Sequence, residues 1–292
     1  MITTLQGKAY GKINIGLDVL RKREDGYHDV KMIMQMVSLY DRIMITRTNT
    51  TSDILLESNL SFLPTNDNNI VYKAAKLLKD EFAISDGLEI KLEKHIPVAA
   101  GMAGGSTDAA TTLELLNTMY SLGLSKKQLM ERAVKLGADI PYCILKGTAL
   151  SEGIGEVLTP LKPLMPCSIL IVKPPIYVST KFVYENLKIN ELTSHPDIDG
   201  IVDAIEADDL YTMSHKMENV LESVTEQNYP VISSIKQLMV EQGAIASLMS
   251  GSGPTVFGIY DNEDTVNKAA TFFKINYPTY RTYVTQPVND VS

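Results

Sequence analysis

The sequence has no tryptophan, two cysteines and four histidines in 292 residues. Cys143 and Cys167 each sit inside an apolar run. Two thiols are too few for a disulfide framework or a cysteine-based zinc site, so both read as buried free thiols. His195 and His215 have no partner at a metal-ligand spacing. No apolar run approaches the ~20 residues that cross a bilayer. The opening residues, MITTLQGKAYGKINIG, lack the apolar core of a signal peptide. These absences lead to the expectation of a cytoplasmic protein with no membrane partner. Positive charge is also short, with 27 Lys and Arg against 35 Asp and Glu, a net charge of -8. That balance disfavours nucleic acid as a partner. An acidic chain still binds a small phosphorylated molecule where its cations gather in one cleft.

What is present begins with length. A chain of 292 residues exceeds what one small core organises, and two domains are expected. KINIGLDVL alternates Ile13, Ile15, Leu17 and Val19 with Asn14, Gly16 and Asp18, a half-buried strand pattern. Asp25-Gly26 marks a turn, and VKMIMQMVSLYDRIMI supplies one or two further strands. Val71, Ala74, Ala75, Leu78 and Phe82 predict a helix after Asn69. GLEIKLEKHIP alternates again and runs into Pro97. Ala109, Leu113, Leu116 and Tyr120 predict a helix from near Ser106 to near Gly123, and Ser125 with Gln128 signals a capping box for the next, ending at Gly137. Pro141 suits the first turn of a short helix. Beyond it, CSILIVKPP, AIASLMS, TVFGIY and RTYVTQ read as strands. Helices are expected over 214–224, in PVISSIKQLMVEQG and around Val266, Ala269, Ala270 and Phe273. The class is α+β. A boundary between residues 150 and 166 gives domains 1–157 and 158–292.

The stretch PVAAGMAGGSTDAA, residues 97–110, lies between a strand and a helix. The first N–H groups of a helix have no internal partners and carry the positive end of its dipole. Small residues at Gly101, Ala103, Gly104 and Gly105 let a large anion approach the backbone, as a di- or triphosphate site requires. Ser106 is suited to a phosphate oxygen or to Mg2+; otherwise it is the helix N-cap. No lysine precedes Ser106 as in a Walker A loop, so a cation must come from elsewhere.

GKINIGLDVLRKREDGYHDV, PVAAGMAGGSTDAA and LMSGSGPTVFG, in that order, resemble the three motifs of the GHMP kinases. The likeness runs from about residue 8 to 285. DGYH and GADIP narrow it to members that act on a cytidine diphosphate substrate. The resemblance implies an N-terminal domain like ribosomal protein S5 domain 2 and a ferredoxin-like C-terminal domain. It implies ATP with Mg2+ as cofactors, and phosphorylation of the C2 hydroxyl of a cytidine diphosphate methylerythritol. A monomer or weak homodimer is expected. The rival readings are a homoserine- or mevalonate-type kinase and a non-catalytic ligand-binding protein.

By that resemblance Asp139 in GADIP is the general base, against the competing use of Asp as a helix cap. Lys12 supplies the cation that the loop lacks. Asn14, on the same strand face as Lys12, contacts substrate or is an exposed strand residue. Tyr27 and His28 read the cytosine, with Tyr184 a second stacking partner; surface packing is the plainer use of the tyrosines. Thr180, Gly251 and Ser252 lie on the substrate side. Pro97, Gly101, Met102, Ala103, Gly104, Gly105, Ser106 and Thr107 hold the ATP phosphates, and Asn69 either lies near the adenine or caps its helix. Ala103 departs from the family pattern, where glycine is usual; it is small but restricts the backbone.

Overall fold

A computed structural model describes residues 3–289. The chain opens with two long strands, β1 (Thr4–Lys22) and β2 (His28–Thr48), then β3 (Ile54–Ser58), α1 (Ile70–Glu81) and β4 (Gly87–Glu93). Next come α2 (Gly104–Met119), α3 (Lys126–Ala133), α4 (Ile140–Leu145), β5 (Thr148–Glu152) and β6 (Val157–Pro160). The later part holds β7 (Ser168–Lys173), α5 (Thr180–Asn186), α6 (Ile198–Glu206), α7 (Leu210–His215) and α8 (Glu222–Asn228). It ends with α9 (Val231–Glu241), β8 (Ala246–Met249), β9 (Val256–Tyr260), α10 (Glu263–Asn276) and β10 (Arg281–Thr285).

Two compact units interleave along the chain, where a single cut near residue 157 was expected. Among the described residues, one takes those up to Gly11, Leu39–Val98 and Ala103–Leu145; the other takes Lys12–Ser38, Ala99–Met102 and those from Lys146 on. The cause is strand length: β1 and β2 each run on from one unit into the other.

In the first unit, Arg42–Thr48 of β2 pair antiparallel with β4, and β3 lies parallel to β4. α1 buries Val71, Ala74, Ala75 and Leu78 of the face its periodicity predicts, while Phe82 caps its C-terminal end and is half-buried, and the Asn69 side chain caps its start by accepting from Val71 N. α2 buries Thr107 through Leu113 without a break, so it is an inner helix and not an amphipathic surface one. Gly7 on β1 allows that packing, since a Cβ there would come 2.7 Å from Thr111 Cγ2. α3 opens with the expected Ser125–Gln128 capping box but ends at Ala133, short of Gly137.

In the second unit, Met32–Gln35 of β2 pair with β5, and β5 with β6. A separate antiparallel sheet has the order β10-β7-β9-β8. Asn14 and Asp18 are as buried as their apolar neighbours, which corrects the half-buried reading of β1. α6 explains it: Ile198 and Ile201 pack with Ile15 and Ile33 in one core cluster, and a Cβ on Gly16 would come 2.8 Å from both Ile198 Cδ1 and Ile201 Cδ1. The helix expected over 214–224 is instead the end of α7, a turn and the start of α8. Asn219 breaks it, because its side chain serves neighbouring loops. Both cysteines are free; Cys143 is buried, and Cys167 is only partly buried, its thiol pushed up to about 12 by burial.

Candidate functional site

The glycine-rich stretch is shaped by its backbone. Ala99, Gly101 and Ala103 have φ of 51°, 72° and 53°, while Ala100 and Met102 are not in the left-handed region. Alternating signs of φ turn successive N–H groups toward one concave side, the geometry of an anion nest. Ala103 is the N-cap of α2 and gives no side-chain hydrogen bond, and Thr107 N is the first to bond back, to Ala103 O at 2.9 Å. Ser106 is therefore not the N-cap; it lies in the first turn, and α2 starts two residues earlier than the pattern predicts. The N–H groups of Gly104, Gly105 and Ser106 stand at an uncapped helix end, where the dipole favours an anion. Gly105 is exposed, and a Cβ on it would come 3.6 Å from Ile70 Cγ2, which brings the start of α1 beside it. Asn69, just before Ile70, is held by its capping bond and by donating to Pro64 O at 2.8 Å.

A lysine stands close to this helix end, but its charge is already matched. Lys94 Nζ donates to Asp41 and, at 2.6 Å, to Asp108, and all three side chains are buried. Burial pulls Lys94 down, yet the charges of Asp108 and Asp41 outweigh it and hold its pKa above the ordinary value. Burial, assisted by the like charge of Asp41, pushes Asp108 well up against the pull of Lys94. With two carboxylates on one ammonium, this cluster offers no net positive charge to a phosphate.

Asp139, in the first unit, is half-buried immediately before α4. Its backbone carbonyl accepts from Cys143 N, but its carboxylate makes no side-chain hydrogen bond among the described residues. Its backbone therefore opens α4, without a side-chain capping bond.

In the second unit, Lys12 is buried on β1. Its Nζ donates to Asn14 Oδ1 at 2.6 Å, and its backbone N–H donates to Met102 O at 3.1 Å. Asn14 in turn donates to Met32 Sδ at 3.3 Å, so it is a core polar residue and not an exposed strand residue. A Cβ on Gly251 would come 3.2 Å from Gly101 O and 3.6 Å from Lys12 Nζ. The middle of the glycine-rich stretch, Lys12 and the 250–253 loop thus meet in one place. Asn219 secures that loop by donating to Met249 O and Gly251 O, both at 2.8 Å. Thr180 and Ser252 share a hydrogen bond of 2.7 Å, which ties the start of α5 to the same loop.

His28 and Tyr184 form a ring pair with centroids 5.1 Å apart, on a groove of about 440 Å³ lined also by Leu20, Lys22, Leu187 and Lys188. Burial, then the charge of Lys22, pulls the His28 pKa below its ordinary value, so the ring is neutral at pH 7. Tyr27 is exposed, its backbone N–H bonded to Asp25 Oδ1 at 3.0 Å. Sequence reasoning missed Asn219, Ser250 and the Lys94 cluster. Ser250 lay within the third motif; the others had no local signal, because their partners are distant in sequence. His195, left unassigned, bonds Asp18 through Nδ1 at 2.8 Å.

Residues 69–147 match the GHMP kinases N terminal domain, and residues 201–279 match the GHMP kinases C terminal family. The 4-diphosphocytidyl-2-C-methyl-D-erythritol kinase of Lachnoclostridium phytofermentans is 59% identical over 279 residues, 96% of each chain. A crystal structure of a 4-(cytidine 5'-diphospho)-2C-methyl-D-erythritol kinase superposes with a TM-score of 0.84 at 29% identity, covering 98% of this chain and 100% of the other. The homoserine kinase of Cytophaga hutchinsonii shares the fold, with a TM-score of 0.80 at 17% identity, covering 98% of this chain and 95% of that one.

Proposed function

The chain belongs to the GHMP kinases and, within them, to the 4-diphosphocytidyl-2-C-methyl-D-erythritol kinases, and on that premise we propose how its residues work. It is an ATP-dependent kinase of isoprenoid precursor synthesis, transferring the γ-phosphoryl group to the 2-hydroxyl of 4-diphosphocytidyl-2-C-methyl-D-erythritol. Phosphoryl transfer asks the protein chiefly for positioning and for neutralising charge. The uncapped start of α2 carries the nucleotide part of the reading: its open N–H groups receive phosphate oxygens, with Pro97 and residues 101–107 shaping the approach.

Asp139 accepts the proton of the attacking hydroxyl, a role that its free carboxylate leaves open. Lys12, set by Asn14, balances the charge that develops on the transferring group. His28 and Tyr184 take the cytosine, the ring pair giving one edge to bond and one face to stack, with exposed Tyr27 closing over it. Thr180, Gly251 and Ser252 support the same substrate. Among the described residues no three His, Cys, Asp or Glu side chains converge on a metal position, which fits Mg2+ arriving with the nucleotide phosphates, beside the Ser106 hydroxyl. Bound there, Mg2+ would neutralise phosphate charge. Small charged substrates suit a cytoplasmic enzyme that works as a monomer or weak homodimer.

The test is ADP release with Mg-ATP and each of four acceptors: the cytidylyl substrate, homoserine, mevalonate and galactose. Turnover with the cytidylyl substrate alone supports the reading. Turnover with another acceptor replaces the substrate assignment, and nucleotide binding without any turnover favours a non-catalytic binder.

A further inference from the structure

The buried cluster of Lys94, Asp41 and Asp108 has no part in the chemistry described so far, yet it touches both ends of the turn into the phosphate-binding helix. Asp41, on β2, accepts from Lys94 Nζ and also from His95 N and, at 2.8 Å, from Ile96 N. It therefore holds the backbone that leads toward Pro97. Lys94's own peptide is clamped by one side chain: its N–H donates to Asn59 Oδ1 at 2.8 Å, and its carbonyl accepts from Asn59 Nδ2 at 3.1 Å. The position of the ammonium is over-determined from the strand side.

On the helix side, Lys94 Nζ donates to Asp108 Oδ2 at 2.6 Å. Asp108 follows Gly104 by four residues, so both lie on one face of α2, one above the other. The ammonium reaches that face where there is no side chain: a Cβ on Gly104 would come 3.2 Å from Lys94 Nζ and 3.1 Å from Ile96 Cγ2. Two carboxylates absorb the charge, which leaves the bond network, and not long-range attraction, as the contribution of this lysine.

We propose that Lys94 is a positioning residue for the nucleotide: by bridging Asp41 and Asp108 it sets the depth and tilt of the first turn of α2, and so the aim of the open N–H groups of Gly104, Gly105 and Ser106. The inference rests on the reading that those groups receive ATP phosphates. It assigns Asp108, a residue inside the helix, to nucleotide affinity without contact to the nucleotide.

Asp108→Ala tests it. Removing one of two carboxylates leaves Lys94 and Asp41 as a matched buried pair, so the fold is retained, which circular dichroism verifies. Mg-ATP affinity by calorimetry falls about tenfold, as loss of a hydrogen bond to a charged group predicts. Amide exchange at residues 104–107 quickens, and the KM for the cytidylyl substrate stays within about twofold. Asp108→Asn, which keeps an acceptor for Lys94, restores Mg-ATP affinity to within about twofold of the parent. Wild-type affinity in Asp108→Ala, or an Asp108→Asn variant as weak as the alanine variant, overturns the positioning role. A parent protein that does not bind Mg-ATP overturns the phosphate reading of α2 itself, and the positioning role with it.

Discussion

Ser250 Oγ donates to the carbonyl oxygen of Gly101 at 2.9 Å, joining two loops that lie 149 residues apart. The approach is closer still between backbones. A Cβ on Gly101 would come 2.1 Å from Ser250 O, and Gly101 holds φ at 72°. Only glycine satisfies both demands.

Gly101→Ala therefore forces the two loops apart. The expected result is a fall of about a hundredfold or more in kcat/KM for ATP, as misplacement of about 1 Å produces. Ser250→Ala removes only the hydroxyl bond and lowers stability by about 1 kcal/mol in urea unfolding. Equal effects for the two variants would refute the steric argument.

Asn219→Ala takes away the donor shared by Met249 O and Gly251 O. Both carbonyls then lie without that partner in a buried setting, at a cost of about 2–3 kcal/mol. Denaturant titration should show it, together with a reduced kcat from a looser 250–253 loop. An unchanged midpoint would remove Asn219 as the clamp.

Lys12→Met keeps the unbranched stem of the side chain and removes its ammonium. If Lys12 balances charge in the transition state, kcat falls by about 10²–10³ while KM for ATP changes little. A rise in KM alone would make Lys12 a ground-state binding residue.

His28 gives a pH signature. Its pKa in the folded chain lies below 6.5, through burial and then Lys22. The ring is thus neutral above that range and gains a proton as pH falls through the lowered value. KM for the cytidylyl substrate should be flat from about pH 8 to 6.5 and rise in more acid solution. Stability carries the same sign: the unfolded chain binds the proton more readily, so this site costs stability as pH drops below its unfolded value. His28→Gln should flatten the KM profile; a profile that keeps its acid limb would point to another group.

Much of this was legible in the sequence where the signal is local. Four of the five α1 face positions and the Ser125–Gln128 capping box follow from spacing alone and appear as read, and of its two readings Asn69 takes the cap. The start of α2 was misplaced because Ala103 caps it from the left-handed region, a conformation that alanine adopts at a cost of about 1–2 kcal/mol. Alternation gives β1 a half-buried pattern because it cannot reveal that α6 packs over the face of Asn14, Gly16 and Asp18. The Lys94 cluster draws on positions 41, 94 and 108, which no local pattern links.

Phosphoryl transfer to the C2 hydroxyl is read out by phosphorus NMR of the protein with Mg-ATP and 4-diphosphocytidyl-2-C-methyl-D-erythritol. One new phosphomonoester resonance should grow with ADP while the diphosphate bridge of the substrate stays intact, and a folded Asp139→Asn variant should be severely slowed. ADP formed with no new phosphomonoester, or Asp139→Asn turning over at the parent rate, would contradict it.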